Sequence, residues 1–215
     1  MDTKSVEIEL TTKCTLECPA CPRTYRRKFG DRTWDTGHLD KNIVFKTFDS
    51  PDFQSIRFVG SYGDCIYHPD FIEIATRACE SDKRIRFETN GSHRKLKFWT
   101  QLSNLHWPKR KEFIFSIDGL EDTHHLYRIS TDFNKIIDNA KAFIGAGGYA
   151  KWHMLVFEHN EHQIQEAKQM SEDLGFKMFT TKNTTRFKDD HFQVIDEKGN
   201  PLHLTLIHIS EPTRP

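Results

Sequence analysis

Short apolar or β-branched runs alternate with longer amphipathic stretches along most of this chain, and that alternation leaves few folds open. Candidate strands fall at residues 5–10, 55–59, 84–88, 112–117, 150–157 and 176–180, with candidate helices at 39–48, 69–80, 94–105, 133–144 and 161–174. Strands joined by helical crossovers of this length pair in parallel, which makes this an α/β protein built on one parallel sheet. In the last helix Ile164, Ala167, Met170, Ser171 and Leu174 recur at helical spacing. Gly175 follows them where a left-handed C-terminal residue belongs. Doubly wound and barrel arrangements both satisfy the pattern. At 215 residues the chain is sized for one domain. After Thr180 the pattern fades into polar residues, with one weak strand near 192–195.

Parallel α/β proteins place their chemistry where the strands end. The first strand runs into Cys14-Thr15-Leu16-Glu17-Cys18-Pro19-Ala20-Cys21. Three thiolates are one too few to close a tetrahedral zinc site or an iron–sulfur cube, so one metal position stays open. Structural zinc held by these cysteines and His38 is an alternative, although no second short Cys or His hook follows. A disulfide framework fits poorly, because the chain has five cysteines and its first residues lack a secretory core. The next strands end in Gly60-Ser61-Tyr62-Gly63-Asp64, Glu88-Thr89-Asn90-Gly91 and Ser116-Ile117-Asp118-Gly119. Any one of these could be an ordinary turn. Their recurrence beside a three-cysteine loop points to a shared site.

The Cys-x-x-x-Cys-x-x-Cys loop resembles the signature of the radical S-adenosylmethionine (radical SAM) superfamily. That resemblance implies a partial, open (β/α)6 TIM-like barrel and two cofactors, a 4Fe-4S cluster and S-adenosyl-L-methionine. It also implies reductive cleavage of SAM to a 5′-deoxyadenosyl radical for hydrogen abstraction. Cys14, Cys18 and Cys21 match the cluster ligands. Tyr62-Gly63-Asp64-Cys65 stands where the family has Gly-Gly-Glu-Pro, which places Gly63 and Asp64 near the SAM amino group. Gly63 would then let main chain approach the ligand closely. Asn90, Ser116 and the downstream Arg128 correspond to groups around the ribose and carboxylate, an arginine fork suiting a carboxylate well. Val156, or its neighbour Leu155, would lie against the adenine. The chain departs from the pattern at Tyr62, Asp64, Cys65 and Ala20; at the last, an aromatic residue is common, and Tyr25 is a possible stand-in. By analogy the substrate is a peptide or a small molecule, and the electron comes from a donor such as a flavodoxin or ferredoxin. The alternatives are an iron–sulfur carrier or sensor with Cys65 as fourth ligand, and a zinc-stabilised binding domain.

Lysine plus arginine equal aspartate plus glutamate at 31 each, so nothing in the charge calls for nucleic acid or an acidic membrane surface. No run of about 18 apolar residues is present, and a cytoplasmic location is expected. Apolar residues make up 36% of the chain, few for a domain closed on itself, with 17 phenylalanines partly compensating. Arg23, Arg26, Arg27 and Lys28 read as a solvated basic loop. His124 and His125, being adjacent, read as surface or supporting residues, and Cys79 as a small apolar helix residue. The organisation expected is a radical SAM core over residues 1–180 and the start of an incomplete C-terminal region over 181–203. Residues 204–215, part of which resembles a translated sequencing adapter, are expected to be a non-native or disordered tail of a truncated chain.

Overall fold

The computed structural model describes residues 4–29, 36–105, 107, 110–184, 191–195 and 201–206. Six parallel strands form one sheet in the order β1 to β6: β1 (Ser5–Ile8), β2 (Ser55–Phe58), β3 (Arg84–Thr89), β4 (Lys111–Ser116), β5 (Ala150–Val156) and β6 (Phe179–Asn183). Strictly sequential order is barrel winding; a doubly wound sheet reverses direction part-way. The sheet is open, and the architecture is the partial (β/α)6 barrel expected.

Seven helices accompany it among the described residues: α1 (Pro22–Phe29), α2 (Lys41–Asp49), α3 (Phe71–Glu80), α4 (Leu96–Ser103), α5 (His124–Tyr127), α6 (Phe133–Gly145) and α7 (Ile164–Asp173). Their starts follow simple capping chemistry. Asp40 accepts from the Asn42 N–H, and Asp132 accepts from the Lys135 N–H at 3.0 Å. Gly175 has φ +86° and closes α7, its N–H bonding to the Glu172 carbonyl.

The sheet has two chemically opposite faces, because strand side chains alternate. On the helix side Ile8, Phe58, Phe87 and Phe113 lie in register on neighbouring strands. Phe58 and Phe87 stack at 4.6 Å between centroids, and Trp99 and Phe143 close over Phe113 from α4 and α6. On the opposite face Glu7, Arg57, Arg86 and Glu112 form a lateral row by the same register. Arg57 bonds Glu7 at 2.6 Å and Glu88 at 3.3 Å, while Glu112 pairs with Arg86 and Lys151. This charged inner face accounts for the low apolar content. One sheet face here is core and the other lines a cavity.

Three expectations need correction. The basic stretch after Cys21 is helix α1, opened by Pro22 at its first position. Arg23 within it is not solvated: it is buried, and it donates to the Thr12 and Leu16 carbonyls at 3.1 and 3.2 Å. The sixth strand sits three residues later than expected, because Phe176 is used in the core beneath Trp152. The sheet therefore runs on to Asn183. Beyond it β7 (His191–Ile195) and β8 (Pro201–Leu206) pair as an antiparallel hairpin. Residues 207–215 of the expected tail lie outside the described residues.

Candidate active site

The Cys loop is held by main chain from three directions. Thr12 N–H donates to the Gly37 carbonyl, Asp64 N–H to the Lys13 carbonyl at 2.9 Å, and Glu17 N–H to the Ile129 carbonyl at 3.0 Å. Tyr67 Oη and Thr15 Oγ1 share a hydrogen bond of 2.7 Å. Leu16 and Cys18 pack with Tyr127 and Phe157 in a small apolar cluster separate from the main core. The Glu9 carboxylate accepts the Ser61 and Tyr62 N–H groups at 2.8 and 3.3 Å, fixing the loop after β2 beside the cysteines. Sequence reasoning passed over Glu9; as a carboxylate on the inner face one residue beyond β1, it carried no motif.

The strand ends converge on one cavity of about 440 Å³. Cys14, Cys18, Cys21, Gly63, Asp64, Asn90, Ser116 and Arg128 all line it. Val156 does not. Leu155 takes the cavity side, with His153 two residues before it, and Val156 is buried away from it. Tyr25 is 64% exposed and does not line the cavity.

Gly63 is required by its own surroundings. A Cβ there would lie 2.1 Å from the Thr11 carbonyl oxygen and 2.8 Å from the Lys13 nitrogen. The close approach is to the main chain of the Cys loop itself. Asp64 likewise turns inward: Oδ1 accepts from the Ile66 N–H at 3.2 Å, and Oδ2 from Thr89 Oγ1 at 3.0 Å and the Asn90 N–H at 2.6 Å. Its carboxylate ties the second strand end to the third. Burial pushes its pKa up to about 6 despite these hydrogen bonds.

Arg128 donates through Nε to Asp118 Oδ2 at 2.6 Å. Asp118 is fully buried, and its other oxygen accepts the Leu155 N–H at 2.7 Å. Its own N–H donates to His124 Nδ1 at 2.9 Å, so buried His124 supports the site from behind while His125 is exposed. Burial opposes the guanidinium charge, but the Asp118 carboxylate and the Cys18 sulfur more than offset it and hold Arg128 protonated. Arg128 also hydrogen-bonds the Cys18 thiol, and with Nε on Asp118 its remaining Nη donors can serve a further acceptor.

Burial raises the Cys14 thiol to about 12, with Asp64 adding to it, and the Cys18 thiol to about 11. Thiols in such surroundings become thiolates when a cationic centre binds them. Among the described residues no three His, Cys, Asp or Glu side chains converge on one ion position. Sulfurs spread around a cavity suit a multi-iron cluster better than a zinc ion, and His38 packs against the His68 ring at 5.2 Å. Cys65 is buried with its thiol donating to the Glu88 carbonyl at 3.3 Å and does not line the cavity. Cys79 is half-buried in α3.

The model of the radical SAM superfamily matches residues 8–171, and the chain belongs to that superfamily. Members of it use a 4Fe-4S cluster and S-adenosylmethionine, and the donor set here fits both. Among solved structures the chain is similar to Streptococcus suis SuiB bound to S-adenosylmethionine, with a TM-score of 0.66 and 15% identity over 85% of this chain and 42% of that one. It is also similar to anSMEcpe with bound AdoMet, with a TM-score of 0.63 and 16% identity over 90% of this chain and 54% of that one. The chain thus spans about half or less of the length of these proteins. At these identities the likeness is one of fold. No curated protein matches it by sequence. Among the described residues no helix is long and apolar enough to cross a membrane.

Proposed function

We propose that this chain is the cofactor-binding core of a radical SAM enzyme that abstracts hydrogen from a polar substrate, a peptide being the first candidate. The observation that carries the reading is the meeting of three loop sulfurs and the Asp118-braced Arg128 in one cavity at the carboxyl edge of the sheet. A bound cluster and SAM would supply one-electron cleavage of a carbon–sulfur bond, with a 5′-deoxyadenosyl radical as the hydrogen acceptor. The chain supplies position and shielding. Cys14, Cys18 and Cys21 hold the cluster. Main chain at Gly63 faces the amino group of SAM, while Ser116 and the Nη groups of Arg128 receive its carboxylate. Leu155 offers the apolar edge for adenine. Leu16, Tyr127 and Phe157 keep water from the sulfurs.

Glu7, Arg57, Glu88 and His153 line the same cavity and favour a substrate with polar or charged groups. SuiB has been solved bound to precursor peptide SuiA, and anSMEcpe with a Cp18Cys peptide, which supports a peptide here. The electron donor is of the flavodoxin or ferredoxin class, and the setting is the cytoplasm. The test is anaerobic reconstitution with iron and sulfide, then incubation with dithionite and SAM. Formation of 5′-deoxyadenosine is expected, and its loss together with the cluster absorption in Cys18→Ala. A Cys18→Ala protein with full cleavage activity would refute the assignment.

A further inference from the structure

Asn90 was expected at the ribose, yet its side-chain amide is committed on both ends to protein. Oδ1 accepts the Ser92 N–H at 2.9 Å and also the Ser92 hydroxyl. Both partners are donors, so the oxygen end of the amide is fixed and cannot exchange with the nitrogen. Nδ2 therefore faces Cys14 and donates to its Sγ at 3.4 Å. The residue is 5% exposed, and its own N–H is anchored on Asp64 Oδ2 at 2.6 Å. Asn90 thus stands between a buried carboxylate and a cysteine sulfur and turns an N–H toward each.

The three sulfurs do not share this environment. Arg128 lies beside Cys18, whereas Cys21 Sγ sits 3.4 Å from a carbonyl oxygen, that of Ser61, which has no hydrogen to give a thiolate. Cys14 takes two neutral amide N–H groups, that of the Leu16 main chain and that of Asn90, the second locked in place by Ser92. An N–H aimed at a ligand sulfur stabilises the state with more electron density on that sulfur, and hydrogen bonds to cluster sulfurs are one of the terms that set reduction potential.

We propose that Asn90 is a positioning residue for the cluster, locked by Ser92, whose hydrogen bond to the Cys14 sulfur raises the potential at which the cluster accepts its electron. The inference rests on the cluster reading above. The redox step is one electron passing from an external low-potential reductant to the oxidised 4Fe-4S cluster, with no proton or atom exchanged.

The test is an anaerobic dithionite titration of reconstituted wild-type protein and Asn90→Ser, followed by the reduced-cluster electron paramagnetic resonance signal. Serine keeps a turn-forming hydroxyl but cannot reach Cys14. The variant is expected to be harder to reduce by on the order of tenfold, equivalent to a midpoint about 59 mV lower for one electron. A midpoint equal to wild type overturns the inference. Because Asn90→Ser could fail to assemble, a second measurement uses wild-type protein labelled with 15N-asparagine, where 15N hyperfine coupling to the reduced cluster is expected. That coupling must survive in Asn183→Ser, since Asn183 lines the same cavity; its absence, or its loss in that control, overturns the inference. Wild-type protein that takes up no iron and shows no cluster absorption overturns the cluster reading itself, and the inference with it.

Discussion

Replacing Gly63 by alanine tests whether the second strand end is there to fit the Cys loop. The new methyl would stand 2.1 Å from the Thr11 oxygen and 2.8 Å from both Thr11 C and Lys13 N. Every one of these is main chain, so no side chain can swing aside. Restoring ordinary van der Waals contact takes a shift of about 1 Å or more between the two loops, at an overpacking cost of ~1–3 kcal/mol. The 2.9 Å bond from Asp64 N–H to the Lys13 carbonyl spans the gap that must open. Losing it adds about 1 kcal/mol. A total of roughly 2–4 kcal/mol lowers the melting temperature by about 4–16 °C in a domain of this size. Circular dichroism melts of the cluster-free protein would measure it, with iron content after reconstitution as the second readout, because Cys14 moves with Lys13. Gly145→Ala is the control: nothing lies within 4 Å of its Cβ position, and alanine is the better helix former. A Gly63→Ala protein that melts within 2 °C of wild type and binds full iron, a margin of about 1 kcal/mol or less, would refute the packing account.

Arg128→Lys should leave cluster content intact but weaken SAM binding by ~1–3 kcal/mol, since a single ammonium cannot serve Asp118 and a carboxylate fork together; unchanged affinity by calorimetry would place the carboxylate elsewhere. Burial holds His124 well below its ordinary 6.5, so the folded state resists a proton that the unfolded chain accepts. Stability conferred by the neutral ring is therefore complete above pH 6.5 and falls as pH drops below it, by about 1.4 kcal/mol per unit until the folded value is reached. Urea midpoints at pH 7.5 and 5.5 should show a smaller acid loss in His124→Gln than in wild type, and equal losses would contradict the assignment. Lys111 is 1% exposed and donates Nζ to the Ser81 carbonyl at 2.8 Å and to the Lys83 carbonyl. Lys111→Met leaves those carbonyls without their donor and should cost about 1–3 kcal/mol in urea denaturation, whereas a neutral result would mean water replaces the ammonium.

Sequence alone determined the class of fold and the core of the site, because both are written in local patterns. Parallel α/β winding follows from strand–helix periodicity, and Cys14, Cys18 and Cys21 lie within eight residues of each other in one loop. Gly175 closes its helix where a left-handed residue was expected, since a helix end is a local event. What the sequence could not resolve is direction and partnership across strands. Leu155 and Val156 are equally apolar, and only the folded sheet shows that the first lines the cavity and the second does not. Arg23 looked like one of four solvated cations until folding brought the Thr12 and Leu16 carbonyls against it. Strand–helix periodicity alone left barrel winding open beside double winding, because strand order depends on which crossovers pack beside which; the barrel was expected only through the resemblance of the Cys loop. Asn90 shows the limit most clearly. Its position at a strand end was legible, but its contacts with Cys14, 76 residues away, and with Ser92 were not. Hydrogen-bond geometry over such separations exists only once tertiary packing has removed the water that would otherwise satisfy each group.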